Sequence, residues 1–211
     1  MKINEGCFRA AYFFLRKTVF SLKNNLKFIS IDQKYLKYLH DFCKEVYWQP
    51  VGYETKPYLG ILVEDKGNEY VIPLSSAKEK HKSWKNVDID RFLIFENCER
   101  SEKALNGIYT ENPDGSLKHI ISVIDLKKMI PVKPGLYSEI NLNFSPDDSE
   151  DMKKYKVLLN IEYSFCIKII DSVVQKASNL YDKQVSTGKV AKFCCDFKLL
   201  EKKSKEYNTK S

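Results

Sequence analysis

Tyr58-Leu59-Gly60-Ile61-Leu62-Val63 and Glu69-Tyr70-Val71-Ile72 are two apolar segments separated by the turn sequence Asp65-Lys66-Gly67-Asn68. β-Branched and aromatic residues favour strands, and Gly and Asn favour tight turns. The pattern therefore predicts an antiparallel hairpin. Asn112-Pro113-Asp114-Gly115 predicts the turn of a second hairpin. Shorter apolar segments predict further strands at residues 27–31, 91–95, 120–126 and 129–132.

Helical spacing of apolar residues occurs on both sides of this strand-rich region. Asp32 can cap a helix in which Tyr35, Leu36, Leu39, Phe42, Cys43 and Val46 share one face. A longer series over residues 155–180 predicts one long helix or two consecutive helices that end before Gly188. Asp196 can cap a final helix. Because strands concentrate in residues 27–145 and helices in residues 150–207, we expect an α+β fold with helices packed against an antiparallel sheet.

A single domain over residues 26–207 is expected, because no linker rich in Gly, Ser or Pro divides the 211 residues. Residues 208–211 are expected to form a polar tail. Residues 1–25 have two interpretations: a helix that packs on the domain without a part in catalysis, or an over-extended reading frame. The helix is favoured by the spacing of Phe8, Tyr12, Leu15, Val19 and Leu22.

Composition narrows the class of function. The net charge of +7 favours an anionic partner, although it also fits solubility alone. Six cysteines without a C-x-x-C pair are expected to be reduced core residues in a cytoplasmic protein. The sequence contains no metalloprotease, Walker or dinucleotide-binding motif, so we expect no metal and no cofactor. No segment is apolar and long enough to predict a membrane span.

The segment Pro73-Leu74-Ser75-Ser76-Ala77-Lys78-Glu79-Lys80-His81 directly follows the first predicted hairpin. It brings hydroxyl and ammonium groups together where a strand ends, which is a common position for reactive side chains. Lysine neutralises phosphate charge, and serine can donate hydrogen bonds to phosphate oxygens. This combination suits a phosphate ester better than a metal ion or a carbonyl group.

The same segment carries a resemblance. Ile72-Pro73-Leu74-Ser75-Ser76-Ala77-Lys78 resembles the core motif of the ToxN/AbiQ family of endoribonuclease toxins. Four other segments resemble parts of the family in the same order, and together they span most of residues 26–207. They begin at Phe28-Ile29-Ser30-Ile31-Asp32, Tyr58-Leu59-Gly60-Ile61, Ile124-Asp125-Leu126-Lys127 and Cys195-Asp196-Phe197-Lys198.

This resemblance implies a twisted antiparallel core related to small-barrel ribonuclease toxins. It further implies a metal-independent endoribonuclease that leaves 2′,3′-cyclic phosphate and 5′-hydroxyl ends. Toxins of this family belong to type III toxin–antitoxin systems, in which a folded repeat RNA inhibits the toxin, and they act against bacteriophage. The expected partners are therefore the antitoxin RNA, in a symmetric toxin–RNA assembly, and cellular or phage RNA as substrate.

The resemblance also implies catalytic residues. Ser76 would hold the scissile phosphate or the 2′-hydroxyl, and Lys78 would stabilise the phosphorane, with Ser75 in support. Lys56 would approach the same phosphate, although a merely solvated lysine is equally compatible with its position. Tyr35 and Tyr53 would orient the phosphate or relay protons, but Tyr35 also fits the apolar face of its helix.

Cations interleaved with an aromatic residue follow the motif. Alternating cations and rings can follow an RNA backbone and stack on unpaired bases. This predicts RNA contacts for Lys80, Lys82, Trp84 and Lys85, and a second cationic region for Lys189 and Lys192. His81 is interpreted as a surface or hydrogen-bonding histidine. The alternatives to an enzyme are a non-catalytic RNA-binding protein and a protein-interaction domain with an incidental basic surface.

Overall fold

A computed structural model describes residues 19–50, 56–64, 66–105 and 107–208 of the chain. These residues form eight strands and three α-helices, which confirms the predicted α+β fold. The strands are β1 (Phe20–Ile31), β2 (Tyr58–Glu64), β3 (Glu69–Ser76), β4 (Arg91–Cys98), β5 (Ile108–Glu111), β6 (Leu117–Asp125), β7 (Ile130–Val132) and β8 (Tyr137–Glu139). The helices are α1 (Gln33–Phe42), α2 (Glu150–Thr187) and α3 (Phe197–Glu206).

All strand pairs are antiparallel, and the sheet has the order β4-β6-β3-β2-β1-β8, with β5 on β6 and β7 on β3. Strand β3 connects the two parts of this sheet. Its first half pairs with β7, as Val71 opposite Ile130, and its last three residues pair with β6. The last three residues of β3 are therefore held by pairing with β6, which restrains the backbone of Ser75 and Ser76.

Both predicted hairpins are present. Strands β2 and β3 form the first, and β5 and β6 form the second around Gly115, whose positive φ of 85° suits glycine. Strand β8, which pairs with β1, was not predicted from the sequence. Residues 191–194 form a turn in which the Cys194 N–H donates to the Ala191 carbonyl at 3.1 Å.

The helix expected within residues 1–25 is wrong for its last part. Residues from Phe20 onward belong to β1, where Phe20 pairs with Glu64 of β2 and is buried. The interpretation of residues 1–18 lies outside the described residues. Among the described residues, no helix is long and apolar enough to cross a membrane.

Side-chain caps explain where the helices begin. The carboxylates of Asp32 and Asp196 accept hydrogen bonds from Tyr35 N and Leu199 N at 2.8 and 3.0 Å. The Ser149 hydroxyl does the same for α2, which is one helix of 38 residues rather than two. Gly188 ends α2 in the left-handed conformation, as predicted.

The helices pack on the sheet around a buried acidic side chain. Glu201 of α3 accepts a hydrogen bond from the Tyr70 hydroxyl of β3 at 2.9 Å and also pairs with Tyr181 of α2. The ring of Phe20 packs edge-on against both tyrosines. Four of the five described cysteines are buried, as expected of core residues, and Cys98 is partly exposed.

Candidate active site

A cavity of about 440 Å³ opens where β3 ends. Its walls come from distant parts of the chain: the end of β3, the segment that follows it, the end of β6, the start of α2 and the loop before β2. The lining residues are Tyr47, Gln49, Lys56, Pro57, Leu74, Ser75, Ser76, Lys78, Lys80, His81, Trp84, Val123, Asp125 and Tyr155. Six of the predicted site residues therefore meet in one cavity: Lys56, Ser75, Ser76, Lys78, Lys80 and Trp84.

Strand pairing places the two serines. Ser75 lies opposite Val123 and Ser76 lies opposite Ser122 of β6. The Ala77 N–H donates to the Ile121 carbonyl at 3.0 Å, so the backbone stays anchored one residue past the strand. Both hydroxyls thus project from a backbone with little freedom to move.

His81 fixes the conformation of the next segment. The Lys78 N–H donates to Nδ1 of His81 at 3.0 Å, and the imidazole packs on the Trp84 ring with centroids 4.4 Å apart. Burial lowers the pKa of His81, and the nearby cations Lys80, Lys78 and Arg91 lower it as well, which favours the neutral ring that can accept this hydrogen bond. The hydrogen-bonding interpretation of His81 is confirmed and the surface interpretation is wrong, since the side chain is buried.

Lys56 occupies an unusual electrostatic environment. Burial and, to a smaller extent, the nearby Lys78 ammonium lower the pKa of Lys56 to about 8, while Glu162 and Asp125 oppose this shift. Its Nζ lies 5.1 Å from the centroid of the Tyr47 ring. Because a pKa near 8 leaves part of the population neutral at physiological pH, this amine can exchange a proton with a substrate.

Two acidic residues near Lys56 were missed by the sequence analysis: Asp125, which lines the cavity, and Glu162. Burial raises the pKa of Glu162, on α2, to about 7 against smaller opposing effects of the Ser122 hydroxyl and Lys56. Burial also raises the pKa of Asp125, whose carboxylate accepts a hydrogen bond from the Tyr47 hydroxyl at 3.0 Å. A charged residue within the apolar helical series of α2 was the available signal for Glu162.

Tyr35 does not line this cavity. Its side chain is fully buried, and its hydroxyl contacts the Pro131 carbonyl and the Ser204 hydroxyl, each at 2.8 Å. Burial raises the pKa of this hydroxyl. The catalytic prediction for Tyr35 is therefore corrected to the alternative, core packing. Tyr53 lies outside the described residues.

The predicted RNA contacts fall in two places. Lys80 and Trp84 line the cavity. The Lys80 Nζ lies 5.5 Å and the Arg91 Cζ 4.1 Å from the centroid of the Trp84 ring. Lys85 is exposed, and Lys82 pairs with Glu79 at 2.8 Å. Lys189 and Lys192 lie elsewhere, beyond the end of α2, where Lys189 lines a second cavity. Among the described residues, no group of three or more His, Cys, Asp or Glu side chains could hold a metal ion.

Comparison with known proteins decides the family. The family model described as "Toxin ToxN, type III toxin-antitoxin system" matches residues 27–205. The chain belongs to the ToxN toxin family. This confirms the resemblance on which the site residues were predicted, and it places the cavity within the matched region.

ToxN-family relatives cover nearly the whole chain. It is 28% identical over 184 residues to "Endoribonuclease ToxN" of Pectobacterium atrosepticum, covering 86% of this chain and 94% of that protein. It is 29% identical over 198 residues to "Endoribonuclease AbiQ" of Lactococcus lactis subsp. lactis, covering 90% and 93%. A solved structure reported as "A processed non-coding RNA regulates a bacterial antiviral system" matches with a TM-score of 0.63 and 26% identity, over 87% of this chain and 99% of that one.

Proposed function

We propose that this ToxN-family protein is an endoribonuclease toxin whose cavity at the end of β3 cuts RNA by internal transesterification. The products are a 2′,3′-cyclic phosphate and a 5′-hydroxyl. The supporting observation is the meeting of Ser75, Ser76, Lys78 and the low-pKa Lys56 in one cavity. Relatives named as endoribonucleases over most of their length support the same activity.

RNA carries its own nucleophile, the 2′-hydroxyl, so the enzyme needs to remove its proton, align it with phosphorus and stabilise the phosphorane. Neutral Lys56 accepts the 2′-hydroxyl proton. The Ser76 hydroxyl donates a hydrogen bond to a non-bridging phosphate oxygen, with Ser75 beside it, and the Lys78 ammonium offsets the charge that develops there. Water in the open cavity gives a proton to the 5′ oxygen as the P–O5′ bond breaks, and the protonated Lys56 returns its proton to solvent. These steps require no metal, because the chain itself supplies the cationic charge and the base.

The substrate enters as single-stranded RNA. The Trp84 ring at the edge of the cavity offers a surface for an unpaired base, and its flanking cations Lys80 and Arg91 suit the adjacent phosphates. A paired A-form helix hides its bases, so it would not use this ring.

An antitoxin RNA is the proposed inhibitor. One related solved structure is reported as "selective toxin inhibition by a non-coding RNA pseudoknot", and another is reported as an anti-phage endoribonuclease of a type III toxin–antitoxin system. By family membership, we propose that a folded repeat RNA covers this cavity in the cytoplasm, within a symmetric assembly. The toxin would then act during phage infection.

The test combines chelation with matched variants. Purified protein in excess EDTA should cut single-stranded RNA, whereas Ser76→Ala and Lys78→Ala should each lose about 10²-fold or more in kcat/KM, as when a transition-state donor is removed. Lys66→Ala, at the opposite end of the β2–β3 hairpin, is the matched control and should cut normally. Loss of cutting on chelation would refute the metal-free mechanism. Salt-dependent RNA binding without cutting would identify a non-catalytic RNA-binding protein instead.

A further inference from the structure

A second cavity, of about 310 Å³, lies beside the C-terminal part of α2. Helix α2 and the segment that follows it form one wall, and the turn before β4 forms the other. The lining residues are Ile89, Asp90, Lys176, Asn179, Leu180, Lys183, Gln184, Lys189, Ala191 and Cys194. None of these residues lines the cavity at the end of β3, so the proposed catalytic chemistry does not account for this one.

Three lysines of this second cavity lack a salt bridge within the described residues, although Lys176 interacts electrostatically with Asp88 and lies 5.9 Å from the centroid of the Phe92 ring. Lys176, Lys183 and Lys189 form no salt bridge with any residue in the described parts of the chain. The acid among the lining residues, Asp90, already pairs with Lys127 at 2.9 Å and Arg91 at 3.3 Å. Unpaired ammonium groups around a concave surface favour an anionic ligand.

The walls are also apolar, which a phosphate ion alone does not require. Ile89 is 74% exposed at the rim, and Leu180 and Ala191 face the same space. An aliphatic slot with cations around its mouth fits a nucleotide, because the base is flat and apolar on its faces and the phosphate is charged.

Phe193 adds an exposed ring next to this cavity. It is 59% exposed, and the Lys192 ammonium lies 4.8 Å from its ring centroid. Its φ of 62° places a bulky residue in the left-handed region, where glycine or asparagine would be less strained. An exposed aromatic ring beside a cation suits base stacking. The strained backbone of Phe193 is not what stability alone would favour.

One short segment connects the two cavities. Trp84 lines the first cavity and is covered by the Arg91 guanidinium, whereas Ile89 and Asp90 line the second. The segment is held as a tight turn by the hydrogen bond from Asp88 N to the Arg91 carbonyl at 3.0 Å. The rim of the first cavity and one wall of the second therefore belong to the same short stretch of chain, residues 84–91.

We propose that the second cavity binds one nucleotide of the single-stranded RNA substrate, several positions away from the scissile phosphate. The base lies against Ile89 and Leu180, its phosphate contacts Lys183 and Lys189, and a neighbouring base stacks on Phe193. This assignment rests on the proposed function and extends it, because it gives the enzyme a distal site that contributes affinity without contacting the reacting atoms.

The first test is a length series of substrates. The cut site is mapped in a long single-stranded RNA, and oligoribonucleotides are then shortened from each end around it. Wild-type kcat/KM should fall about tenfold at one particular length, on one side only, when the distal nucleotide is lost. The variant Lys183→Ala/Lys189→Ala should show this loss on long substrates and should match wild type on short ones.

The matched control is Lys34→Ala/Lys66→Ala, which removes the same charge from exposed positions away from both cavities. Binding is measured on a long oligoribonucleotide whose 2′-deoxy group at the scissile position prevents cutting. For the test variant, the slope of log K against log salt concentration should be smaller in magnitude by about 1.4, because two phosphate contacts of about 0.7 each are lost. Equal effects of both double variants would show a general charge effect and overturn the proposal.

Phe193→Gly separates function from folding. Glycine accepts the positive φ, so the melting temperature should stay the same or rise while affinity for long RNA falls severalfold. Unchanged affinity would remove the stacking assignment. If the wild-type enzyme cuts long and short substrates equally well, this inference fails and the proposed function stands. If it cuts no RNA at all, both fail.

Discussion

The replacement Lys56→Arg tests the base in the proposed mechanism. Burial beside Lys78 lowers the pKa of Lys56 to about 8, so a fraction of the molecules carries a neutral amine near pH 7. Arginine keeps the positive charge and the length of the side chain but stays protonated at every accessible pH. The variant therefore preserves electrostatic attraction for RNA and removes only the capacity to accept a proton.

The magnitude follows from the same pKa. A base with a pKa of about 8 is neutral in about one molecule in ten at pH 7, and general-base catalysis contributes about 10²–10⁴-fold. We expect Lys56→Arg to lower kcat by about 10²–10⁴-fold with little change in RNA affinity. Because the neutral amine is the active form, wild-type activity should rise about tenfold per pH unit below pH 7 and level off above pH 8.

Glu162 refines this pH profile. Its carboxylate raises the pKa of Lys56, and burial raises the pKa of Glu162 itself to about 7. The change Glu162→Gln removes this negative charge, so the midpoint of the profile should move to lower pH. The opposing groups around Lys56 are Lys78, which lowers its pKa, and Asp125, which raises it. Tyr155 and Cys166, whose pKa values are both raised, face Glu162.

The assay is the initial rate on a fluorescent oligoribonucleotide between pH 5.5 and 9.5 at constant ionic strength. Circular dichroism over the same range serves as the folding control, and enzyme-free RNA gives the background of spontaneous hydrolysis. A flat wild-type profile, or a Lys56→Arg enzyme with full activity, would show that Lys56 is not the base. An unmoved midpoint in Glu162→Gln would show that the two groups are not coupled.

Two further predictions concern positioning and stability. His81→Leu removes the acceptor for the Lys78 N–H and should lower kcat about tenfold. His81→Asn can accept this hydrogen bond through its side-chain oxygen and should recover part of the rate. Equal rates for both variants would contradict this positioning role. Tyr35→Phe removes the hydrogen bonds to Pro131 and Ser204 and should lower the free energy of unfolding by about 1–3 kcal/mol in chemical denaturation; a normal stability with lost cleavage would return Tyr35 to the active site.

The sequence predicted the hairpins and helix caps because these depend on local signals. Turn residues such as Gly115 and capping residues such as Asp32 and Asp196 act on their immediate neighbours. Strand β8 has only three residues and no alternating pattern, and it forms because β1 offers it an edge. The misassigned helix at residues 20–25 illustrates the same limit, because pairing with β2 overrode its helical spacing.

The site divides along a similar line. Ser75, Ser76 and Lys78 are close in sequence, so one motif was enough to predict them. Asp125 and Glu162 join them only through the packing of β6 and α2, which no local pattern encodes. Tyr35 satisfied both a catalytic and a core interpretation until its hydroxyl partners, the Pro131 carbonyl and Ser204, were known. A charged residue within an apolar series, such as Glu162 in α2, is a candidate site residue, but only the tertiary structure shows whether it lies near the site.

The most direct test of the central claim is the chemistry of the cut ends. A defined single-stranded RNA is incubated with the purified protein in excess EDTA, and the fragments are weighed by mass spectrometry. If Ser76, Lys78 and Lys56 act on the 2′-hydroxyl as proposed, each upstream fragment will end in a 2′,3′-cyclic phosphate and each downstream fragment will begin with a 5′-hydroxyl. Fragments with 3′-hydroxyl and 5′-phosphate ends would contradict it.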